Sequence, residues 1–196
     1  MGLIHLNPPP ISVEAILLTL VLTAAVYDVR YRRIPNWLTA GGVLVGLVLN
    51  AFLGPWSSPI PTSQIWLGLR FALVGMGIAF AVNFALYALH ARGAGDVKLM
   101  AAIGAIVGFD DWFGIFVVSA IMGGLIALIL VVAKKRAMTT FWNVGFILNE
   151  MKSGRAAYVK REELDVKSDK ALRMPAGAVI AIGTLFFLAA SAHFKP

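Results

Sequence analysis

Cysteine is absent from this 196-residue chain, and with it disulfides, thiolate metal sites and cysteine nucleophiles. Histidine is scarce. His5, His90 and His193 lie far apart, none with a second histidine at helical ligand spacing, so no metal site and no cofactor are expected. Charge is scarce too: 14% of residues are Asp, Glu, Lys or Arg, against about a quarter in a soluble domain. Hydrophobic residues make up 59%, and the mean hydropathy is +0.82. These values exclude a soluble globular enzyme and a disordered chain. What is present is a series of apolar stretches near the roughly 20 residues that a bilayer core requires. About six of them fit the length, which predicts one all-α, polytopic membrane domain over residues 1–196.

The stretches run over 11–29, 37–53, 65–89, 96–109, 112–133 and 175–193. The tail before the first has no Lys or Arg, unlike the start of a secretory signal, so that segment reads as a retained helix. Pro35 stops helix continuation, Asn36 suits an N-cap and Trp37 suits the membrane interface. The pairs Gly42/Gly46 and Gly104/Gly108 permit close helix approach. At about 1.5 Å per residue the fourth stretch reaches only some 21 Å. It is therefore short, sunken at one end, or set in a locally thinned membrane.

Positive charge assigns the sides. Arg30, Arg32 and Arg33 follow the first stretch, and no Lys or Arg separates the second from the third. Arg92 and Lys98 flank the turn before the fourth, the next turn holds only Asp110 and Asp111, and residues 134–173 carry ten Lys or Arg. This alternation puts the basic loops in the cytoplasm and both termini outside. The net charge of +7 is then mostly a topology signal, with no further support for nucleic-acid binding. Within the basic loop, about 134–174, Phe141, Val144, Leu148 and Met151 recur as on an amphipathic helix lying at the cytoplasmic interface. Residues 160–169 mix both signs and read as a solvated loop or short helix. The bilayer, through anionic headgroups, is an expected partner of this basic surface.

Ionisable groups within membrane segments are costly and mark functional candidates. Glu14 and Arg70, near outer helix ends, are explained by structural pairing or snorkelling. Asp110 and Asp111 suit the start of a helix. Asp28 and Asp96 differ: one closes the first segment and the other opens the fourth from the same side, at similar depth. Two carboxylates within a few ångströms do not both ionise readily, so one keeps a proton. That supplies a base to activate water and an acid for the carbonyl or leaving nitrogen, as peptide hydrolysis needs. Helix macrodipoles alone favour Asp96, at a helix start, as base and Asp28, at a helix end, as acid.

The surrounding residues point further. Asp96 sits in Gly93-Ala94-Gly95-Asp96-Val97-Lys98, and Asp28 sits in Asp28-Val29-Arg30-Tyr31-Arg32-Arg33-Ile34-Pro35-Asn36. Together, GxGD and D-x-R-x-x-x-I-P-N in this order and topology resemble the prepilin peptidases. These membrane aspartyl peptidases remove leaders from type IV pilin-like precursors. Pro175-Ala176-Gly177 in the last segment adds a weaker match. The resemblance implies a single membrane-embedded peptidase domain in a bacterial inner membrane, with Asp28 and Asp96 catalytic. Arg30, Ile34, Pro35, Asn36, Gly93, Gly95 and Lys98 would support the motifs. Lys98, two residues from Asp96, should point away from it toward headgroups or a neighbouring loop. The resemblance also implies cleavage at the cytoplasmic face, after the glycine ending a short basic leader. This sequence lacks the cysteine-containing region of bifunctional relatives and is similar to the short form associated with Flp/Tad pili. Tyr27-Asp28 and GxGD are also similar to presenilin-like intramembrane proteases, from which Ile34-Pro35-Asn36 and the span count distinguish it. A proton-coupled transporter or a non-enzymatic pilus-assembly component is the alternative outside the proteases.

Overall fold

Each apolar stretch becomes a helix because a bilayer offers no water to unpaired backbone groups, and a helix satisfies them within itself. The computed structural model describes residues 10–53, 65–89, 91–133 and 175–193. They form α1 (Ile11–Tyr31), α2 (Asn36–Leu53), α3 (Ile65–Ala88), α4 (Ala94–Ala133) and α5 (Ala176–His193). All five are long and apolar enough to cross a membrane. The chain is an all-α membrane protein. The amphipathic segment, the basic loop at 134–174 and both termini lie outside the described residues. The chain divides into two units, Met1–Met122 with Pro175–Pro196, and Gly123–Met174. Both candidate carboxylates belong to the first.

Where two separate helices, 96–109 and 112–133, are expected, α4 is a single element broken at Gly108, with φ 77° and ψ −171°. That backbone region is open essentially to glycine alone. The break reverses the chain. Arg92, just before α4, has its guanidinium 5.3 Å from the ring centre of Phe116, whereas a straight helix would part the two positions by about 36 Å. Residues 109–122 therefore run back along the bundle, and six apolar segments result, as the hydropathy predicts. The expected turn at Asp110 and Asp111 is corrected to Gly108: both aspartates are helical, in the first turn of the returning limb.

The limb before the break lies at the centre, with residues 99–108 all buried. Its short length is thereby explained, because protein rather than lipid surrounds it. Small residues let its neighbours close in, as is usual between membrane helices. A Cβ on Gly46 of α2 would come within 2.7 Å of the Ala105 backbone, and Gly75 of α3 lies directly on Gly104. The amide of Asn50, fully buried in α2, donates to the carbonyls of Ala105 and Ile106 at 2.9 and 3.0 Å. Those carbonyls precede the break, where helical partners four residues on are lost.

The helices α1 and α5 pack along each other. On α1 the buried stripe Val13, Leu17, Leu20, Val21 and Ala24 ends in Asp28. On α5 the stripe starts at Gly177 and continues through Ile180, Ala181 and Thr184. Leu44, Phe52, Ile78 and Ile121 face outward, as lipid contact requires.

Candidate active site

The first motif is a helix end followed by a forced reversal. The Arg32 N–H donates to the Asp28 carbonyl at 2.8 Å, and Arg32 takes the left-handed conformation (φ 54°, ψ 27°) that closes α1. Ile34, preceding a proline, is steered away from helix, and Pro35 fixes the entry into α2. The carbonyl of Pro35 accepts the Thr39 N–H at 3.4 Å, so the helix starts at Asn36. Asn36 is thus not the N-cap that its position suggests. Its Oδ1 instead accepts a hydrogen bond from Lys98 Nζ at 2.8 Å.

The second motif opens α4. The Gly93 carbonyl accepts the N–H groups of Asp96 and Val97 at 3.1 and 3.3 Å. In return Gly93 N–H donates to Asp96 Oδ2 at 3.2 Å. The Asp96 carboxylate reaching back to the N–H just before its helix is one half of a capping box, Gly93 having no side chain to supply the other. This contact fixes the carboxyl by the start of its own helix.

The two motifs clasp each other. Ile34 packs over Gly95, where a Cβ would meet its side chain at 3.4 Å. The Lys98–Asn36 hydrogen bond joins the same segments across 62 residues. Lys98 thus engages Asn36, which opens α2, where headgroups or a neighbouring loop are expected. Arg30 is exposed, its guanidinium 5.7 Å from the Tyr31 ring centre.

Asp28 and Asp96 come to one end of the bundle, where each is buried (9% and 8% exposed) and Asp28 acts electrostatically on Asp96. The α5 helix contributes the third part. Its Gly177 N–H donates to Asp28 Oδ2 at 2.7 Å, and the Pro175 carbonyl accepts from Ala178 and Val179. Asp28 therefore satisfies a backbone donor in the first turn of α5, a group no intrahelical carbonyl reaches. A Cβ at Gly177 would lie 3.0 Å from Asp28 Cβ and 3.2 Å from Oδ2, so the close approach depends on glycine. Both carboxylates now face a helix start, which corrects the macrodipole argument: the end of α1 is offset by the beginning of α5, and dipoles alone do not divide the roles of acid and base.

A positive group completes the surroundings. Arg92 Nη1 donates to Asn83 Oδ1 at 2.9 Å, and burial pushes the Arg92 pKa down while Asp96 supports its charge. A cleft of about 550 Å³ opens between α2, α3 and α4, lined by Val43, Met76, Phe80 and Ala101 with Asn36 and Lys98.

A family model for the type IV leader peptidase family matches residues 15–128, more than half of the chain and both motifs. The chain belongs to the type IV leader peptidase family. Membership makes it a membrane-embedded protease of the leader-peptidase kind, and the matched segment holds Asp28, Ile34–Asn36 and Gly93–Lys98. Gly177 lies beyond that segment, although its N–H completes the surroundings of Asp28. No curated protein and no solved structure matches the chain. Asn83 and Asn50 are unremarked in the sequence. An uncharged amide in an apolar helix is the one signal there that either has a buried partner.

Proposed function

We propose that this family member is a prepilin peptidase that cleaves the short basic leader from type IV pilin-like precursors of the Flp/Tad class. Cleavage falls after a glycine at the cytoplasmic face of the bacterial inner membrane, and the precursor's following apolar helix stays in the bilayer. The observation that carries this reading is that Asp28 and Asp96 are both buried in an apolar bundle, close enough to interact electrostatically, and each held by a backbone N–H at a helix start.

A buried carboxyl pair holds one proton between its members. The ionised member takes a proton from water as the water oxygen attacks the scissile carbonyl carbon. The protonated member donates to the carbonyl oxygen. Collapse of the tetrahedral adduct breaks the C–N bond as the leaving nitrogen accepts a proton from the dyad. The N–H groups of Gly93 and Gly177 hold the two carboxyls while their partners change.

The test is co-expression of the chain with a precursor carrying glycine sites before and within its apolar helix. Mass spectrometry of the product N-terminus reads the outcome. A single cut before the helix, absent with Asp28→Asn and with Asp96→Asn, is expected. A cut within the helix supports the intramembrane-protease alternative, and processing by both variants removes the dyad from the chemistry.

A further inference from the structure

The surroundings of Asp96 contain a polar assembly that the hydrolytic scheme above does not use. Asn83 is wholly buried in α3, a helix of mean hydropathy 2.0. Its Nδ2 donates to the Ala79 carbonyl at 2.8 Å, and its Oδ1 accepts from Arg92 Nη1 at 2.9 Å. An aromatic ring also meets the guanidinium. Arg92 lies 5.3 Å from the ring centre of Phe116, which the reversal at Gly108 brings back to this end. A planar cation that donates at its edge while stacking on a ring is a guanidinium task, which an ammonium does not reproduce.

Arg92 is followed at once by Gly93, whose N–H holds Asp96 Oδ2. A guanidinium pinned by α3 and by the returning limb of α4 thus fixes the turn from which that donor projects. Its charge also bears on Asp96. We propose that Arg92, seated on Asn83 and Phe116, is a positioning residue for Asp96, holding the Gly93–Asp96 turn from which the Gly93 N–H reaches the carboxylate. This rests on the reading of Asp28 and Asp96 as the catalytic pair. Arg92 itself acts through Asp96.

Among the described residues, the charged groups that bear on Asp96 are Arg92 and Asp28, one of each sign, while Lys98 on the same helix is engaged by Asn36. Activity falls on the acid side when the pair takes up its second proton. A nearby cation opposes that uptake, so its removal moves the acid limb to higher pH.

The experiment measures precursor cleavage across pH by the full chain in liposomes. It compares the unaltered protein with Arg92→Gln, Arg92→Lys, Asn83→Leu and Asp96→Asn, each checked for thermal stability. Arg92→Gln should lower kcat by about tenfold or more with KM little changed, since small misplacement of a catalytic group is costly. Its acid limb should move to higher pH. Arg92→Lys and Asn83→Leu keep the charge, so each should lose kcat with the limb in place. An unmoved limb in Arg92→Gln, or unaltered kcat in any of the three Arg92 or Asn83 variants, overturns the proposal. If Arg92→Gln does not fold, the kcat of the other two decides. Full activity of Asp96→Asn defeats the catalytic reading instead, whereas an inactive Asp96→Asn beside a normal Arg92→Gln defeats this inference alone.

Discussion

A carboxylate buried among apolar helices needs a donor for its oxygens, and Asp28 and Asp96 each find one at a helix start. This gives both residues a structural role as well as the proposed chemical one, and the two separate by substitution. Asparagine keeps an acceptor oxygen in place, so Asp28→Asn should fold with stability near that of the unaltered chain while cleavage is lost. Asp28→Ala leaves the Gly177 N–H without its partner and should cost about 1 kcal/mol more, the usual worth of a helix cap. Thermal unfolding in detergent, beside a cleavage assay, checks both. Gly177 offers a sharper probe. Adding a methyl group there forces the Asp28 carboxyl to move, since Cβ would lie 3.2 Å from Oδ2. Gly177→Ala should therefore lower kcat by up to about a hundredfold. Helix α5 should keep its content in circular dichroism, because alanine favours helix over glycine.

At the scale of elements, the reversal within α4 is what sets the site against its surroundings. Gly108 holds a backbone conformation that costs other residues about 1–3 kcal/mol, and the ring of Phe71 occupies the place of its missing Cβ. Gly108→Ala should thus be among the most destabilising single methyl additions in the chain, with a loss of about 3 kcal/mol or more. The Asn50 amide serves the same break by donating to the Ala105 and Ile106 carbonyls. Hydrogen bonds between membrane helices average only about 0.6 kcal/mol, so Asn50→Leu should cost about 1 kcal/mol through both. Equilibrium unfolding of the two variants ranks them, and a larger loss in Asn50→Leu than in Gly108→Ala would contradict this account of the turn.

Over the whole molecule, much of the arrangement is legible in the sequence. Apolar length gives the spans, and in a chain so poor in charge Asp28 and Asp96 stand out at matching ends. The details that escape depend on partners distant in sequence. Asp110 and Asp111 look like a turn because they are polar, yet the chain reverses two residues earlier at Gly108, where backbone freedom rather than polarity decides. Asn36 has the composition of an N-cap, but Lys98 claims its side chain from 62 residues away. Helix dipoles separate the two carboxylates only until α5 presents its own first turn to Asp28. The family match and the helical bundle establish a membrane-embedded leader-peptidase-type protein, and the central claim is that Asp28 and Asp96 are its hydrolytic pair. The most direct measurement is single-turnover cleavage of a pilin-like precursor by the purified chain in liposomes, with Asp28→Asn and Asp96→Asn measured beside it. Each variant, folded and stable, should lose at least about a hundredfold in rate, the lower range for a general acid or base. Cleavage at the unaltered rate by either folded variant would contradict it.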